Sequence, residues 1–251
     1  MTNERLRAAI VSSPDTVESL SARVGLDPKT IERWVSTDRL PHRGNRHRVA
    51  QALGADELYL WPKALSESRT QSATAAEIIG QYPSRGSVPS DTWRQLIRAS
   101  VKEVSLLAFA ASFLHDTLPD FDDLLAQRAL SGVRVRLLFG DPASEAVAVR
   151  GVEEQIGSSL ADRCRLSWKY LSSILDVPGI EGRRHGCTLY ASIFRFDDDL
   201  LANHHLFGAP ANHSPVAHLR RVDGGRLFDV HMASFERVWE LGQAVTGEDL
   251  A

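Results

Sequence analysis

The chain has 251 residues, of which 43% are hydrophobic and 24% are charged, and its formal net charge is −3. This length suffices for one large domain or two modest ones, each able to bury a core. No apolar run reaches the roughly 18 residues that cross a bilayer, and the N-terminal residues lack the cationic-then-apolar order of a signal peptide. Two cysteines without CxxC spacing support neither a disulfide scaffold nor a cysteine-rich zinc module. The composition predicts a cytoplasmic protein without a membrane segment.

Residues 1–62 carry the signals of several short helices. Thr16 is a candidate cap for one helix, which ends at Gly25, a residue type tolerated where the chain turns left-handed. Asp27 is a candidate cap for the next helix, which runs through Ile31 and Trp34. These two side chains are three residues apart, so we assign both to the core. Further apolar spacings predict helices over 3–12 and 45–53 and a helical turn over 56–61.

Basic residues concentrate in the same part of the chain. Residues 23–48 hold seven Lys or Arg and three Asp or Glu, and His42 and His47 add potential positive charge. A local basic stripe on a mildly acidic protein suggests one surface built for a polyanion.

Residues 63–76, KALSESRTQSATAA, are small and polar and show no apolar period. We interpret them as a linker, which would either transmit a change between two domains or tether them passively. We therefore predict three parts: an N-terminal domain over 1–62, a linker over 63–76 and a second domain over 77–251.

The second domain alternates strand and helix signals. The apolar runs 102–109 and 133–140 predict strands, with an amphipathic helix over 121–132 between them. That order suggests a βαβ unit in a parallel or mixed sheet. A long helical stretch follows over 143–171. The later patterns predict three strands and a C-terminal helix, over 187–196, 200–208, 216–222 and 227–242.

Several residues of the N-terminal domain stand at a characteristic spacing. Leu20, Gly25 and Leu26 form a turn, Ile31 and Trp34 follow on the next helix, and Pro41 and the run VAQALG (49–54) close the pattern. Residues 16–54 thereby resemble the helix-turn-helix domains of the XRE/Cro–cI family, apart from Ser21, where the family has alanine. The resemblance implies an all-α helix-turn-helix bundle that binds double-stranded operator DNA.

In this motif the second helix enters the major groove with its N-terminal residues at the base edges. Lys29 and Arg33 can donate to guanine, and Glu32 can accept from cytosine. Cations in the following loop and helix are better placed for phosphates. The alternative is a small helical bundle with a solvated charged face. The predicted DNA contacts are Asp27, Lys29, Thr30, Glu32, Arg33, Arg39, Arg43, Arg46 and His47.

Four segments of the second domain, over 82–93, 132–142, 183–208 and 214–221, resemble a phospholipase-D-like domain of the kind appended to actinobacterial XRE regulators. The active family carries H-x-K-x4-D, in which the histidine is the nucleophile and the lysine balances phosphoryl charge. With Asp197 at the motif aspartate, Tyr190 stands at the histidine position and Ser192 at the lysine position. The resemblance therefore implies an α/β domain with a mixed sheet but no enzyme, so we expect no catalytic residues and no cofactor.

Donors suited to phosphate remain around the same predicted strands. A pocket with arginines can bind a phosphorylated or anionic effector without cleaving it. The alternative is that these arginines pair with Asp141, Glu153 and Asp197–Asp199 in ordinary networks. The predicted effector contacts are Arg136, Arg150, Arg184, His185, Arg195, Asp197 and His205.

These patterns together predict a nucleoid-associated, sequence-specific transcription regulator that is a homodimer. A single helix-turn-helix reads a short half-site, so the family pairs two across a palindrome. The competing hypothesis is a phosphodiesterase or nuclease with His185 or His205 as a relocated nucleophile.

The sequence does not indicate a metal site. The spacing of His204, His205, His213 and His218 matches no helix-borne zinc pair, and Asp197–Asp199 are typical of a turn, so we expect no metal.

Overall fold

The computed structural model describes residues 2–37 and 39–250, and for residues 65–69 it describes the backbone alone. The chain divides into two compact units, Met1–Ser72 and Ala73–Ala251. Over the described residues it contains twelve α-helices and one eight-stranded mixed sheet. None of the helices in that part of the chain is long and apolar enough to cross a membrane. The predicted combination of α and β elements with a mixed sheet is confirmed.

The first unit places its short helices around one apolar core. Leu20 and Ile31 are fully buried and Trp34 is 4% exposed, so the assignment of Ile31 and Trp34 to the core is confirmed. The helices that begin in this unit are α1 (Glu4–Ser12), α2 (Val17–Val24), α3 (Pro28–Thr37), α4 (Arg43–Leu53), α5 (Glu57–Leu60) and α6 (Lys63–Ala76).

Local residues set the ends of α2 and α3. The Thr16 and Ser19 side chains each accept a hydrogen bond from the other's backbone N–H at the start of α2. The chain leaves α2 through Gly25 with φ of +67°, in the left-handed region that favours glycine. The Asp27 carboxylate accepts from the Lys29 N–H at 2.8 Å and caps α3. The caps predicted at Thr16, Gly25 and Asp27 are confirmed.

Residues 63–76 differ from the prediction of a linker, because they form helix α6, and the division between the two units falls within it. Alanines at four of its positions favour helix. The side chains from 70 to 76 are all half-buried or exposed. The missing apolar period thus reflects a helix whose side chains from 70 to 76 lack a buried face, not an unstructured segment.

The second unit is organised by its sheet, in which β2, β3 and β4 run parallel and every other neighbouring pair is antiparallel. The predicted βαβ unit is therefore confirmed. The strand order is β1-β7-β6-β5-β2-β3-β4-β8. The strands are β1 (Ile78–Tyr82), β2 (Glu103–Ala108), β3 (Arg134–Gly140), β4 (Ile180–His185), β5 (Ala191–Phe196), β6 (Asp199–His204), β7 (Val216–Arg220) and β8 (Gln243–Val245).

Helices cover both faces of the sheet. Successive strand residues point to opposite faces, so Leu106 joins a core with Trp168, whereas Leu107 joins a second core with Trp239. Trp168 is 1% exposed and Trp239 is 6% exposed. The helices are α7 (Ser90–Ala99), α8 (Ser112–Thr117), α9 (Phe121–Leu130), α10 (Glu145–Glu153), α11 (Ser159–Leu171) and α12 (Leu227–Leu241).

Two features of the second unit differ from the sequence prediction. The stretch 143–171 is two helices, because the chain turns between α10 and α11 with positive φ at Gln155 and Gly157. Strands β1, β4 and β8 were not predicted. These strands are short or polar, as in the run IEGRRH of β4. β4 lies in the sheet because it pairs with β3, which is distant in the sequence.

Candidate functional site

Helix α3 presents charged side chains on the face opposite its core residues. Lys29, Glu32 and Arg33 are exposed, and Thr30 is half-buried. The Asp27 side chain is exposed but already accepts from the backbone at the start of the helix. The predicted base-reading residues therefore lie along the N-terminal half of α3, and the Asp27 carboxylate caps the start of that helix.

The predicted phosphate contacts beyond α3 divide into two groups. Arg39, Arg43 and His47 are exposed. Arg46 is instead 6% exposed, with its Nε donating to Glu57 Oε1 at 3.0 Å and its Nη1 to the Pro41 carbonyl at 3.0 Å. The prediction that Arg46 contacts phosphate does not fit the structure, because the Arg46 guanidinium is buried and binds Glu57 and the Pro41 carbonyl.

The seven predicted effector residues do not form one pocket. Arg136 is 3% exposed and binds the carboxylates of Glu103 and Glu236, and Arg195 Nη1 lies 2.6 Å from Glu103 Oε2. Burial opposes the ionisation of Glu103, but Ser105 and these arginines outweigh it and lower the pKa of this carboxyl. Arg136 and Arg195 thus belong to a buried ion network.

Asp197 is a turn residue, as the sequence indicated for the run Asp197–Asp199. Its φ is +52°, and its carboxylate accepts three backbone hydrogen bonds, from Val101, Lys102 and Glu103, at 2.7 to 2.8 Å. Burial opposes ionisation of Asp197, yet these N–H groups lower its pKa. The carboxylate fastens the β5–β6 turn to the start of β2 and leaves little capacity for a ligand.

Two more predicted contacts are also committed to protein partners. Arg150 is 5% exposed and donates to Glu154 at 2.9 Å and to Glu153 at 3.2 Å, in agreement with the alternative of ordinary ion pairs for this residue. His185 is 1% exposed, with Nε2 at 3.1 Å from the Ala108 carbonyl and Nδ1 accepting from the Cys187 N–H. Arg184 lies at another depression, beside Trp168.

One of the seven, His205, lines a cavity of about 380 Å³ in the second unit. Residues from seven parts of the fold meet there: the turn after β1, the segment after β2, helix α8, the end of α10, helix α11, strand β5 and the segment after β6. Its polar and charged lining residues are Arg85, Ser112, Asp116, Glu154, Arg163, Ser192, His205 and Asn212, and its apolar lining includes Phe109, Phe113, Leu160 and Leu166.

His205 is held in one orientation by two hydrogen bonds. Its Nδ1 lies 3.1 Å from the Leu189 carbonyl, so Nδ1 carries the proton. Its Nε2 lies 3.0 Å from Ser192 Oγ and accepts from that hydroxyl. Burial, followed by the charge of Arg150, lowers the pKa of His205 to about 4. The ring is therefore neutral at neutral pH and stacks on Phe109 with centroids 5.8 Å apart.

The cavity also holds arginines that the sequence did not indicate. The Arg85 guanidinium lies over the Phe113 ring, 3.8 Å from its centroid. Burial lowers the pKa of Arg85 to about 10, Glu154 opposes this, and Arg163 adds to it. Among the described residues, neither Arg85 nor Arg163 has a carboxylate within ion-pair distance. In the sequence, Arg85 was indicated only by its position in the phospholipase-D-like segment 82–93. Ser192 was indicated only by its position at the lysine of the H-x-K-x4-D motif.

Three solved structures resemble this chain. Nuc of Salmonella typhimurium, a phospholipase D family member, is 13% identical over 66% of this chain and 95% of its own, with a TM-score of 0.41. The archaeal chromatin protein TrmBL2, which has a novel mode of DNA binding, is 11% identical over 88% and 72%, with a TM-score of 0.42. The phosphatidylserine synthase of Haemophilus influenzae Rd KW20 is 13% identical over 74% and 45%, with a TM-score of 0.41.

All three TM-scores lie below 0.5, so these likenesses do not establish a shared function. No protein-family model matches the sequence. No curated protein matches it either.

Proposed function

We propose that the protein is a sequence-specific DNA-binding transcription regulator that reads operator DNA with α3. The observation that carries this proposal is the shape of α2, Gly25 and α3. The left-handed Gly25 turns the chain between two helices whose inner faces share a core, and the first six residues of α3 include the exposed Lys29, Glu32 and Arg33. This is the arrangement in which a helix-turn-helix places side chains at base edges.

Each exposed side chain has a role that follows from its chemistry. Lys29 and Arg33 donate to guanine acceptors, and Glu32 accepts from the cytosine amine. Arg39, Arg43 and His47 contact phosphates, which set affinity and register without reading sequence. Thr30 lies at the same helix end, and Asp27 keeps its capping role. Arg46 is left out of the interface because it is buried and paired.

The second unit, in this proposal, is a phospholipase-D-like domain that pairs two copies and senses a small anionic ligand. Pairing would set two α3 helices about one helical turn of DNA apart. An exposed apolar group supports a pairing surface there: Phe207 is 86% exposed and lies beside Val149 and Val152, which are 50% and 72% exposed. Contiguous exposed apolar patches mark protein–protein interaction sites when they are large.

The test is selection of bound duplexes from a random double-stranded DNA library with the full-length protein. We expect enrichment of a palindrome with half-sites about 10 base pairs apart. The double variant Lys29→Ala/Arg33→Ala should then lose at least about tenfold in affinity for that sequence, since each good base contact contributes about 1–3 kcal/mol. Its thermal melt should stay near wild type, because both side chains are exposed.

The matched control is Arg98→Ala/Arg237→Ala, which removes two exposed cations from the second unit. This variant should keep the sequence preference. Failure to enrich any sequence, or an α3 variant that binds the selected duplex as well as wild type does, would contradict the proposal.

A second candidate function is phosphodiester hydrolysis, and the placement of His205 is what favours it. His205 lines the cavity beside Ser192, whereas both ring nitrogens of His185 bond to backbone groups in the core. Turnover of bis-p-nitrophenyl phosphate that His205→Ala abolishes would support this second function. Our first proposal expects no turnover, because the H-x-K positions hold Tyr190 and Ser192.

A further inference from the structure

The cavity beside His205 differs from the clusters around Arg136, Arg150 and Arg195 in how its arginines are balanced. Arg136 and Arg150 are buried and Arg195 is half-buried, and each of the three binds a carboxylate directly. Arg85 and Arg163 face the cavity without one among the described residues. Arg85 is half-buried and Arg163 is exposed at the mouth of the cavity. Partial removal of the Arg85 guanidinium from water without a partner is costly, and an anion that enters the cavity would offset that cost.

The acidic side chains of the cavity do not cancel these two cations. Glu154 is buried and already accepts from Arg150 Nε at 2.9 Å, and Asp116 is exposed to solvent. Arg150 therefore already neutralises the charge of Glu154, and water screens the charge of Asp116 from the two arginines. The lowered pKa of Arg85 agrees with this, because burial and Arg163 outweigh the opposing charge of Glu154.

The uncharged residues that line the cavity indicate the chemistry of the uncharged part of a ligand. Neutral hydrogen-bonding groups come from Ser112, Ser192 and Asn212, and the neutral His205 ring adds no cation at neutral pH. The apolar wall consists of Phe109, Phe113, Leu160 and Leu166. A volume of about 380 Å³ lies within the range of small-molecule sites. The cavity thus offers a cationic end and an aromatic side.

We propose that this cavity binds a small amphiphilic oxyanion, with its charged head on Arg85 and Arg163 and its apolar body against Phe109 and Phe113. Guanidinium groups bind carboxylate and phosphate oxygens in the same bidentate manner, so the shared chemistry is an oxyanion on an apolar group. The proposal that this cavity is the effector site of a regulator rests on the proposed function. Binding of an oxyanion to the cavity can be measured without DNA.

The experiment is titration calorimetry on the full-length protein with phenyl phosphate, benzoate, inorganic phosphate and benzyl alcohol. We expect the better of phenyl phosphate and benzoate to bind at least about tenfold more tightly than inorganic phosphate or benzyl alcohol, since only it engages both ends of the cavity. The order of phenyl phosphate and benzoate identifies the kind of head group. Equal affinity for all four probes, or no binding at millimolar concentration, would overturn the inference.

Variants then locate the site. Arg85→Met keeps an apolar stem over Phe113 and removes the positive charge of Arg85. Arg163→Met removes the positive charge of Arg163, the exposed arginine of the cavity. Each should weaken binding of the best probe by at least about tenfold, because each removes a charge-assisted contact. Arg237→Met, which removes an exposed arginine outside the cavity, should bind as wild type does. Unchanged binding in Arg163→Met refutes the site even if Arg85→Met fails to fold.

The two proposals fail separately. Probe binding that depends on Arg85 and Arg163, without any selected DNA sequence, would keep the site and remove its regulatory role. Selection of a DNA sequence without probe binding would keep the regulator and refute the site.

Discussion

Replacing His205 with glutamine should reduce the loss of stability that the wild-type protein undergoes between pH 7 and pH 5. Burial and Arg150 lower the pKa of this ring to about 4 in the folded protein, against an ordinary value of 6.5 in the unfolded chain. The unfolded chain therefore takes up a proton as the pH falls below 6.5, while the folded protein does not, so acid favours unfolding. The gap between the two pKa values corresponds to about 3 kcal/mol, of which about 2 kcal/mol is lost between pH 7 and pH 5.

The assay is urea unfolding at pH 7 and pH 5, followed by tryptophan fluorescence, with the free energy of unfolding of the second unit compared at the two pH values. His205→Gln retains an acceptor for Ser192 and should lower the pH-dependent loss by about 2 kcal/mol. His213→Gln, at an exposed position of the same unit, is the control and should keep the wild-type difference. Burial also lowers the pKa of His185 and of His204, so part of the loss remains in His205→Gln.

Carboxylates do not obscure this result. Where their folded pKa is lowered, as for Asp197, the stability they contribute is lost only as the pH falls through values below the chosen window. A His205→Gln variant that loses as much stability as wild type does between pH 7 and pH 5 would refute the inference that the ring is held neutral in the folded protein.

Two further predictions concern side chains that hold the second unit together. Glu77 is 1% exposed and its carboxylate accepts from the N–H groups of Arg226, Leu227 and Phe228 at the start of α12, so Glu77→Ala should lower the free energy of unfolding by about 3 kcal/mol or more. A loss below about 1 kcal/mol in urea unfolding would contradict this capping role. Arg136→Met leaves two carboxylates without their buried partner and should cost about 3 kcal/mol, and a variant as stable as wild type would show that the ion network contributes little.

Features that depend on neighbouring residues were predictable from the sequence. The caps at Thr16 and Asp27 and the left-handed turn at Gly25 involve contacts within a few residues, so residue type and spacing suffice to place them. The strands β2 and β3 were also predictable, because continuous apolar runs suit parallel strands that are covered on both faces.

Helix α6 and strand β4 were not predictable, since neither carries a clear apolar period. The side chains of α6 from 70 to 76 are half-buried or exposed, and β4 contains consecutive arginines that pairing with β3 and β8 holds in the sheet. In both segments the hydrophobic pattern, which is the main sequence signal for secondary structure, is too weak to decide the conformation.

The candidate site in the second unit depended on tertiary structure most of all. The sequence supplied many arginines around the predicted strands but could not show which of them are neutralised. Arg136 meets Glu103 and Glu236, which lie 33 and 100 residues away along the chain, while Arg85 meets an aromatic ring and no carboxylate among the described residues. Whether an arginine is available to a ligand depends on which charges the fold brings within a few ångströms of it, because Coulomb energy falls with distance in space and not with separation in sequence.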